Sequence, residues 1–177
     1  MMFVSLGIGT VVAIALIAVV SVLTGGKATP NNGATSALVG KHVKSFSLGG
    51  LYSGTVDAPW TSDRASVLIF FASWCGPCKK EMPKVAAYVH VHDPSPVEVL
   101  GIDANDQRGA ARSFVTNDGV TFPVAFDANG DVTSGVFSFL TVPETVFINA
   151  KGVVTQVYFG AIPVKQLAQG IKSLQAA

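Results

Sequence analysis

Two cysteines, Cys75 and Cys78, carry the most reactive side chains in this sequence of 177 residues, which contains no other cysteine. They lie two residues apart in the segment FFASWCGPCKKEMP, Phe70–Pro83. Such a pair fits three kinds of site: a dithiol that cycles with a disulfide, half of a metal site, or a structural disulfide. A disulfide across two residues closes too short a loop to stabilise a fold much. A tetrahedral metal site would need further ligands, for which the sequence offers His42, His90 and His92.

The residues around the pair favour the redox interpretation. An apolar run precedes Cys75 and a helical pattern follows it, so we expect Cys75 where a strand ends and a helix begins. Unpaired N–H groups and the positive end of the helix dipole would favour its thiolate, the nucleophile of disulfide exchange. Cys78, one turn later, could attack a mixed disulfide formed at Cys75. Gly76 permits a tight turn, and Pro77 suits the first turn of a helix.

The rest of the pattern predicts an α/β domain that positions this segment. Apolar runs at 66–72 and 97–103 are typical of buried strands, and a short strand and turn are expected over 122–132. The segment 141–160 predicts a hairpin around a tight turn. Helices are expected over 75–92, 105–119 and 163–175. This order predicts a mixed central sheet with helices on both faces.

The N-terminus has a different composition. Residues 1–23 include an uncharged apolar run, Phe3–Leu23, and about 20 such residues cross a bilayer as a helix. We expect a transmembrane anchor here, with a cleaved secretory signal as the alternative, because the run is longer than a usual signal core. Residues 24–38, rich in Gly, Thr, Asn and Ala, predict a flexible linker, and residues 39–177 a globular domain.

Several segments resemble one family. FFASWCGPCKKEMP resembles the active-site segment of thioredoxin-like proteins, and most closely that of the membrane-anchored TlpA/ResA branch of thiol–disulfide oxidoreductases. VGKHVKSFSL and VLGIDANDQRGAARSFVTNDGVTFPVAFDANGDV resemble the N-terminal extension and the inserted helix and strand of that branch. TVPETVFINAKGVV resembles its cis-proline segment, and the likeness covers about residues 39–175.

The resemblance implies a role for each matching residue. Cys75 would be the exposed attacking thiol and Cys78 the buried resolving thiol. Pro143 would be the cis-proline beside the pair, where the backbone of Val142 binds an extended substrate. The resemblance also places Trp74 beside the nucleophile, and with it the turn residues Gly76 and Pro77 at the surface that meets the substrate.

Two positions concern carboxylates near the pair. Thioredoxins carry a buried Asp on the strand before the cysteines, and the matching residue here is Ile69. The resemblance suggests Glu81 as the substitute, because it lies one helical turn beyond Cys78 and could accept its proton. A solvated surface glutamate is the alternative. The PET sequence at 143–145 is similar to the cytochrome-c-biogenesis members of the branch, which suggests that Glu144 helps to shape a peptide groove.

These observations predict a membrane-anchored, extracytoplasmic thiol–disulfide oxidoreductase without a cofactor. Its partners would be client proteins with thiols or disulfides and a membrane electron donor or acceptor. A reductase, for instance in cytochrome c maturation, is the preferred direction; a disulfide-forming oxidant, a copper metallochaperone using the Cys pair and a histidine, and a secreted enzyme are the alternatives. The net charge of +1 argues against nucleic acid as a partner. A peroxidase is not expected, because Ala72 and Leu68 replace the Thr or Ser and the Pro that peroxiredoxins need.

Overall fold

The computed structural model describes residues 36–177. No helix within this range is long and apolar enough to cross a membrane. The anchor predicted for residues 1–23 and most of the linker predicted for residues 24–38 lie outside the described residues.

A five-stranded mixed sheet forms the centre of the domain, with the strand order β5-β4-β3-β6-β7. Its strands are β3 (Ser66–Phe71), β4 (Glu98–Ala104), β5 (Val124–Asp127), β6 (Glu144–Ile148) and β7 (Val154–Phe159). β4 runs parallel to β3 and to β5, whereas β6 runs antiparallel to β3 and to β7. The predicted strands and the predicted hairpin are therefore present, and the prediction of a mixed α/β sheet is confirmed.

The central strand β3 is buried on both faces, which explains its uninterrupted apolar sequence. Because side chains alternate along a strand, Val67, Ile69 and Phe71 enter one hydrophobic core and Leu68 and Phe70 enter the other. The strand ends four residues before Cys75. The cysteine segment therefore lies at the carboxyl end of β3, on the side of the sheet where the parallel strand β4 also ends.

Three α-helices cover one face of the sheet: α1 (Gly76–Val91), α2 (Arg108–Asn117) and α3 (Val164–Gln175). All three contribute side chains to the core that contains Ile69, among them Met82, Phe114 and Leu167. Each helix agrees with a predicted one, and the termini differ by a few residues. Pro163 precedes α3 as its N-cap, and apolar residues at helical spacing face the sheet.

The opposite face corrects the prediction of α-helices on both sides. There a short 3-10 helix, Pro59–Ser62, and the turns of 131–139 cover the sheet. Aromatic side chains fill this core, since Phe70 packs edge-on against both Phe137 and Phe139. The turn segment has too few residues in regular helical geometry, and its Gly, Ser and Thr residues favour turns.

An N-terminal hairpin, β1 (Ser47–Gly49) with β2 (Thr55–Asp57), was not predicted from the sequence. Its connecting turn is fastened to α2, because Arg108 and Arg112 both donate hydrogen bonds to the carbonyl oxygen of Leu51, at 2.9 and 3.0 Å. Before this hairpin, the chain pairs with the turn between β6 and β7. Gly40 N–H donates to Val154 O at 2.8 Å, and Val43 N–H donates to Gly152 O at 3.0 Å.

Because α3 packs closely on the sheet at Gly170, replacing this helical glycine by alanine should destabilise the protein. A Cβ atom at Gly170 would collide with the Phe147 ring, so Gly170→Ala should lower the free energy of unfolding by about 1–3 kcal/mol. Gly109→Ala in α2 is the matched control, because a Cβ there meets no atom within 4 Å. It should leave stability unchanged or raise it by up to about 1 kcal/mol. Urea unfolding of both variants measures the contrast, and equal effects would contradict the predicted collision.

Candidate active site

The sulfur of Cys75 lies at the N-terminus of α1. Cys75 is the N-cap residue, and its Sγ accepts a hydrogen bond from the backbone N–H of Cys78 at 3.2 Å. Pro77 occupies the first turn, where its missing N–H leaves no helical bond unmade. Cys75 and Cys78 are joined by a disulfide, with their Cα atoms 5.3 Å apart. The structure thus brings the two predicted cysteines together at the predicted junction of strand and helix.

The two cysteines differ in burial, but less than expected. Cys75 is 3% exposed and Cys78 is fully buried. The order agrees with an outer and an inner sulfur, whereas the prediction of an openly exposed Cys75 is corrected. The Val142 carbonyl lies against the outer sulfur, and the disulfide itself directs each sulfur toward the other.

The loop before β6 lies directly against the disulfide. The peptide bond between Val142 and Pro143 is cis, as predicted. The carbonyl oxygen of Val142 lies 3.6 Å from Cys75 Sγ, although the two residues are 67 positions apart. The antiparallel register of β3 and β6, in which Phe70 faces Glu144, places the start of β6 beside the end of β3.

Two residues beside Cys75 show how the surface around it is built. Trp74 is 60% exposed, so its ring is not packed in the core. Its indole N–H donates a hydrogen bond to Asn105 O at 3.0 Å. Gly76 is exposed and does not have a positive φ, and a Cβ there would meet no atom within 4 Å. The turn therefore does not require glycine, which corrects that interpretation. The missing side chain leaves open space next to Cys75.

Glu81 is buried, which excludes the alternative of a solvated surface residue. Its side chain is 3% exposed, and its Oε1 accepts the Ile162 N–H at 2.7 Å. Its Oε2 has no hydrogen-bond partner within residues 36–177. Burial raises the pKa of Glu81 to about 7, and the bond from Ile162 opposes part of that rise. Ile69, at the position on β3 where thioredoxins carry a buried Asp, is fully buried and apolar.

Glu144 is a second carboxyl group held out of water near the pair. It is 5% exposed, and its Oε1 accepts a hydrogen bond from Thr141 Oγ1 at 3.3 Å. Burial raises the pKa of Glu144 to about 7; the Thr141 bond lowers it and the charge of Glu81 raises it further. Glu144 follows the cis-proline directly and is buried, so its side chain is not itself exposed at a surface; that it helps to shape a peptide groove stays a prediction.

Comparisons with known proteins agree with this geometry. Residues 39–157 match the AhpC/TSA family, which is two thirds of the chain. The chain belongs to the AhpC/TSA family. Its relatives include the sporulation thiol-disulfide oxidoreductase A of Bacillus subtilis, 25% identical over 59% of this chain and 64% of that protein. They also include the thiol-disulfide oxidoreductase ResA of Bacillus thuringiensis, 26% identical over 77% of this chain and 78% of that protein.

Solved structures resemble the described fold. A protein from Chlorobium tepidum named as a thiol:disulfide interchange protein DsbE superposes with a TM-score of 0.68 and is 26% identical. The match covers 78% of this chain and 99% of that one. StoA from Bacillus subtilis superposes with a TM-score of 0.63, over 72% of this chain and 96% of that chain, and at 24% identity shows the fold alone. With its Cys-X-X-Cys pair on this fold, the chain is a thioredoxin-like thiol–disulfide oxidoreductase.

Within the AhpC/TSA family, this site differs from that of a peroxidase. The position three residues before Cys75 is Ala72, which is fully buried and has no hydroxyl group to orient a peroxide. Leu68 fills the position where a peroxidase would have proline, and it packs in the core behind the sheet. Both positions therefore differ from the pattern that a peroxidase requires.

The histidines lie apart from the sulfurs. His42 forms an isolated bridge with Val153 beside the β6–β7 turn. His90 and His92 lie at the far end of α1, about 18 Å or more along the helix from Cys78. No group of three or more His, Cys, Asp or Glu side chains within residues 36–177 is arranged to hold a metal ion. This placement gives the copper-chaperone alternative no structural support.

One part of the site was missed by the sequence analysis. The segment just before Cys75 is bound by the loop between β4 and α2, where Asp106 accepts hydrogen bonds from both the N–H and the Oγ of Ser73. The acidic sequence DANDQ, 103–107, which spans the end of the buried strand β4 and the residues after it, was the available signal. The sequence could not show which of its side chains turn inward.

The buried carboxyl groups predict a stability that falls as pH rises. Between the ordinary value of 4.5 and about 7, folded Glu81 keeps a proton that the unfolded chain has lost. The free energy of unfolding should therefore decrease through this interval. Urea unfolding of the oxidised protein at pH 5 and pH 8 should show a smaller decrease for Glu81→Gln than for the wild type. Asp93→Asn removes a surface carboxylate and controls for net charge; equal decreases in Glu81→Gln and the wild type would contradict the prediction.

Proposed function

We propose that this chain is a membrane-anchored, extracytoplasmic reductase of protein disulfides, with Cys75 as the attacking sulfur and Cys78 as the resolving sulfur. The observation that carries the proposal is the position of Cys75 Sγ. It lies at a helix N-terminus, within reach of the Cys78 N–H, and faces the carbonyl of Val142 before the cis-proline. A helix N-terminus stabilises a thiolate, and the outer position leaves Cys75 as the sulfur that a client meets first.

The reaction consists of two exchanges. The Cys75 thiolate attacks one sulfur of a client disulfide, a Cys75–client bond forms, and the other client sulfur leaves as a thiolate that takes up a proton. The Cys78 thiolate then attacks Cys75 Sγ, which breaks the mixed disulfide and releases the first client sulfur. Two electrons pass to the client, and the pair ends as the disulfide seen here. A membrane dithiol donor would return two electrons and complete the cycle.

Glu81 is the proposed proton acceptor for the inner thiol. It lies one turn beyond Cys78 on α1, and its pKa of about 7 lets it take or give a proton at neutral pH. The unpaired Oε2 of Glu81 leaves one carboxyl oxygen available for that proton. Glu144 would not touch the client. Its charge would act on Glu81, and its hydrogen bond from Thr141 would help to hold the loop before the cis-proline.

The client would bind across the loop that ends at Pro143. The Val142 carbonyl faces Cys75 and offers a backbone acceptor for an extended chain. The exposed Trp74 ring supplies an apolar surface beside the sulfur, and the open space at Gly76 admits the client's own cysteine. Pro77, exposed at the start of α1, would border the same surface.

Location and direction rest on the sequence and on the chemistry of the pair. The apolar segment 1–23 would anchor the chain, and the linker 24–38 would let the domain reach clients at the outer surface. Disulfide substrates persist in that compartment, where a tethered dithiol needs a membrane electron donor. An apocytochrome c, which must have free cysteines to receive haem, is the proposed class of client.

The two cysteine roles predict opposite behaviour of two serine variants. Cys78→Ser should accumulate mixed disulfides with client proteins, because no resolving thiol remains, whereas Cys75→Ser should accumulate none. Non-reducing gels of whole membranes from cells with each variant measure the difference. The double variant is the matched control. Equal trapping by both single variants, or trapping by neither stable protein, would refute the assigned roles.

The direction of electron flow predicts the resting state of the pair. In intact cells, a reductase should hold mostly free thiols at Cys75 and Cys78, and an oxidant mostly the disulfide. Alkylation with a membrane-impermeant maleimide, followed by mass spectrometry, measures the redox state and the side of the membrane together. A permeant maleimide is the control. Labelling by the permeant reagent alone would place the domain in the cytoplasm, and a mostly oxidised pair would favour disulfide formation.

A further inference from the structure

The segment before Cys75 is held by one carboxylate. Asp106 accepts hydrogen bonds from the Ser73 N–H and, at 2.9 Å, from Ser73 Oγ. The same carboxylate accepts the backbone N–H of Gln107 at 2.6 Å. Because these three donors meet at one side chain, Asp106 determines the distance between the start of α2 and the residue two positions before Cys75.

Trp74 depends on the same loop for its position. Its ring is mostly exposed, so packing does not fix it, and its indole N–H donates to the carbonyl oxygen of Asn105. Ser73 on one side of Trp74 in sequence is bound to Asp106, and Cys75 on the other is the N-cap of α1. The loop at 105–107 therefore sets the orientation of the aromatic surface beside the disulfide.

Asp103 lies beneath this loop in an unusual state. It is fully buried at the end of β4, and neither of its oxygens accepts a hydrogen bond from an N–H or O–H group of residues 36–177. Its carboxyl group is within hydrogen-bonding reach of Asp106; the other charged groups that act on it are Asp127 on β5 and Arg108 on α2. Burial first, and then Asp106, raise the pKa of Asp103 to about 8.

Arg108 does not neutralise the pair. Its guanidinium donates to the carbonyl oxygens of Gly50 and Leu51 and lies over the ring of Phe126, 4.1 Å from the centroid. Its attraction lowers the pKa of Asp103 but is the last in size among the effects on that group. Two facing carboxyl groups without a paired cation favour a state in which one of them keeps a proton.

We propose that Asp103 and Asp106 share one proton, and that this acid–carboxylate pair positions Ser73 and Trp74 for contact with the client at Cys75. Asp103 donates its O–H to Asp106, which binds Ser73 and Gln107. When Asp103 loses the proton, two carboxylates face each other, and their repulsion loosens Asp106 from Ser73. Both are positioning residues, and their effect on catalysis rests on the proposed function.

The first test needs no client. In the oxidised full-length protein labelled with 5-fluorotryptophan, the Trp74 fluorine resonance, assigned by its loss in Trp74→Phe, should shift between pH 7 and pH 9.5. Asp103→Asn should abolish that shift, because the neutral amide does not titrate. Trp60, which packs with Phe46 behind the sheet, is the internal control and should not move. A wild-type Trp74 resonance that does not move, or a shift that survives in Asp103→Asn, overturns the shared proton.

The second test measures reduction of a protein disulfide. Asp106→Ala should lower kcat/KM about tenfold at pH 7, since the segment before Cys75 loses its fixed position. The ratio of the Asp103→Asn rate to the wild-type rate should rise from pH 7 to pH 9. Asp93→Asn, which removes a carboxylate that accepts Ser95 N–H in an exposed turn, should match the wild type. An Asp106→Ala variant with wild-type kcat/KM, or a flat ratio, overturns the positioning role. An inactive wild type would instead refute the proposed function, and the fluorine titration would still decide the proton pair.

Discussion

The arrangement of the site depends on one hydrogen bond, which the Cys78 N–H donates to the sulfur of Cys75. A helix begins with backbone donors that have no partner in the helix, and here the N–H of Cys78, the third helical residue, meets the sulfur. This hydrogen bond requires that the buried strand β3 end where Cys75 can take the N-cap position of α1. The sheet, the cis-proline loop and the loop after β4 all serve to hold that junction.

The loops that meet the disulfide come from distant parts of the sequence because the sheet is mixed. β3 and β4 are parallel and end on the same side, whereas β6 is antiparallel and begins there. Two strand ends and one strand start thus converge on the cysteines. They bring together the residues around Trp74, Asp106 and Val142, none of which could be placed beside the others by spacing alone.

Elements with strong local signals could be predicted from the sequence. The apolar run of β3, the Cys-X-X-Cys helix start, the hairpin β6–β7 and the amphipathic α3 are each specified by periodicity, caps or turn residues. The β1–β2 hairpin, with strands of three residues, was not predictable, because its position depends on distant arginines of α2. The burial of Glu144 and of Asp103 could not be predicted either, because the local sequence does not determine which groups surround a carboxylate.

The point at which the chain enters the domain lies away from the disulfide. Gly40 and Val43 pair beside the turn that joins β6 to β7, and this turn lies at the start of β3, since Ser66 faces Ile148. Cys75 lies past the other end of β3, so the length of the strand, about 20 Å for six residues, separates the entry from the sulfur. The first described residues and the disulfide therefore lie at opposite ends of the central strand.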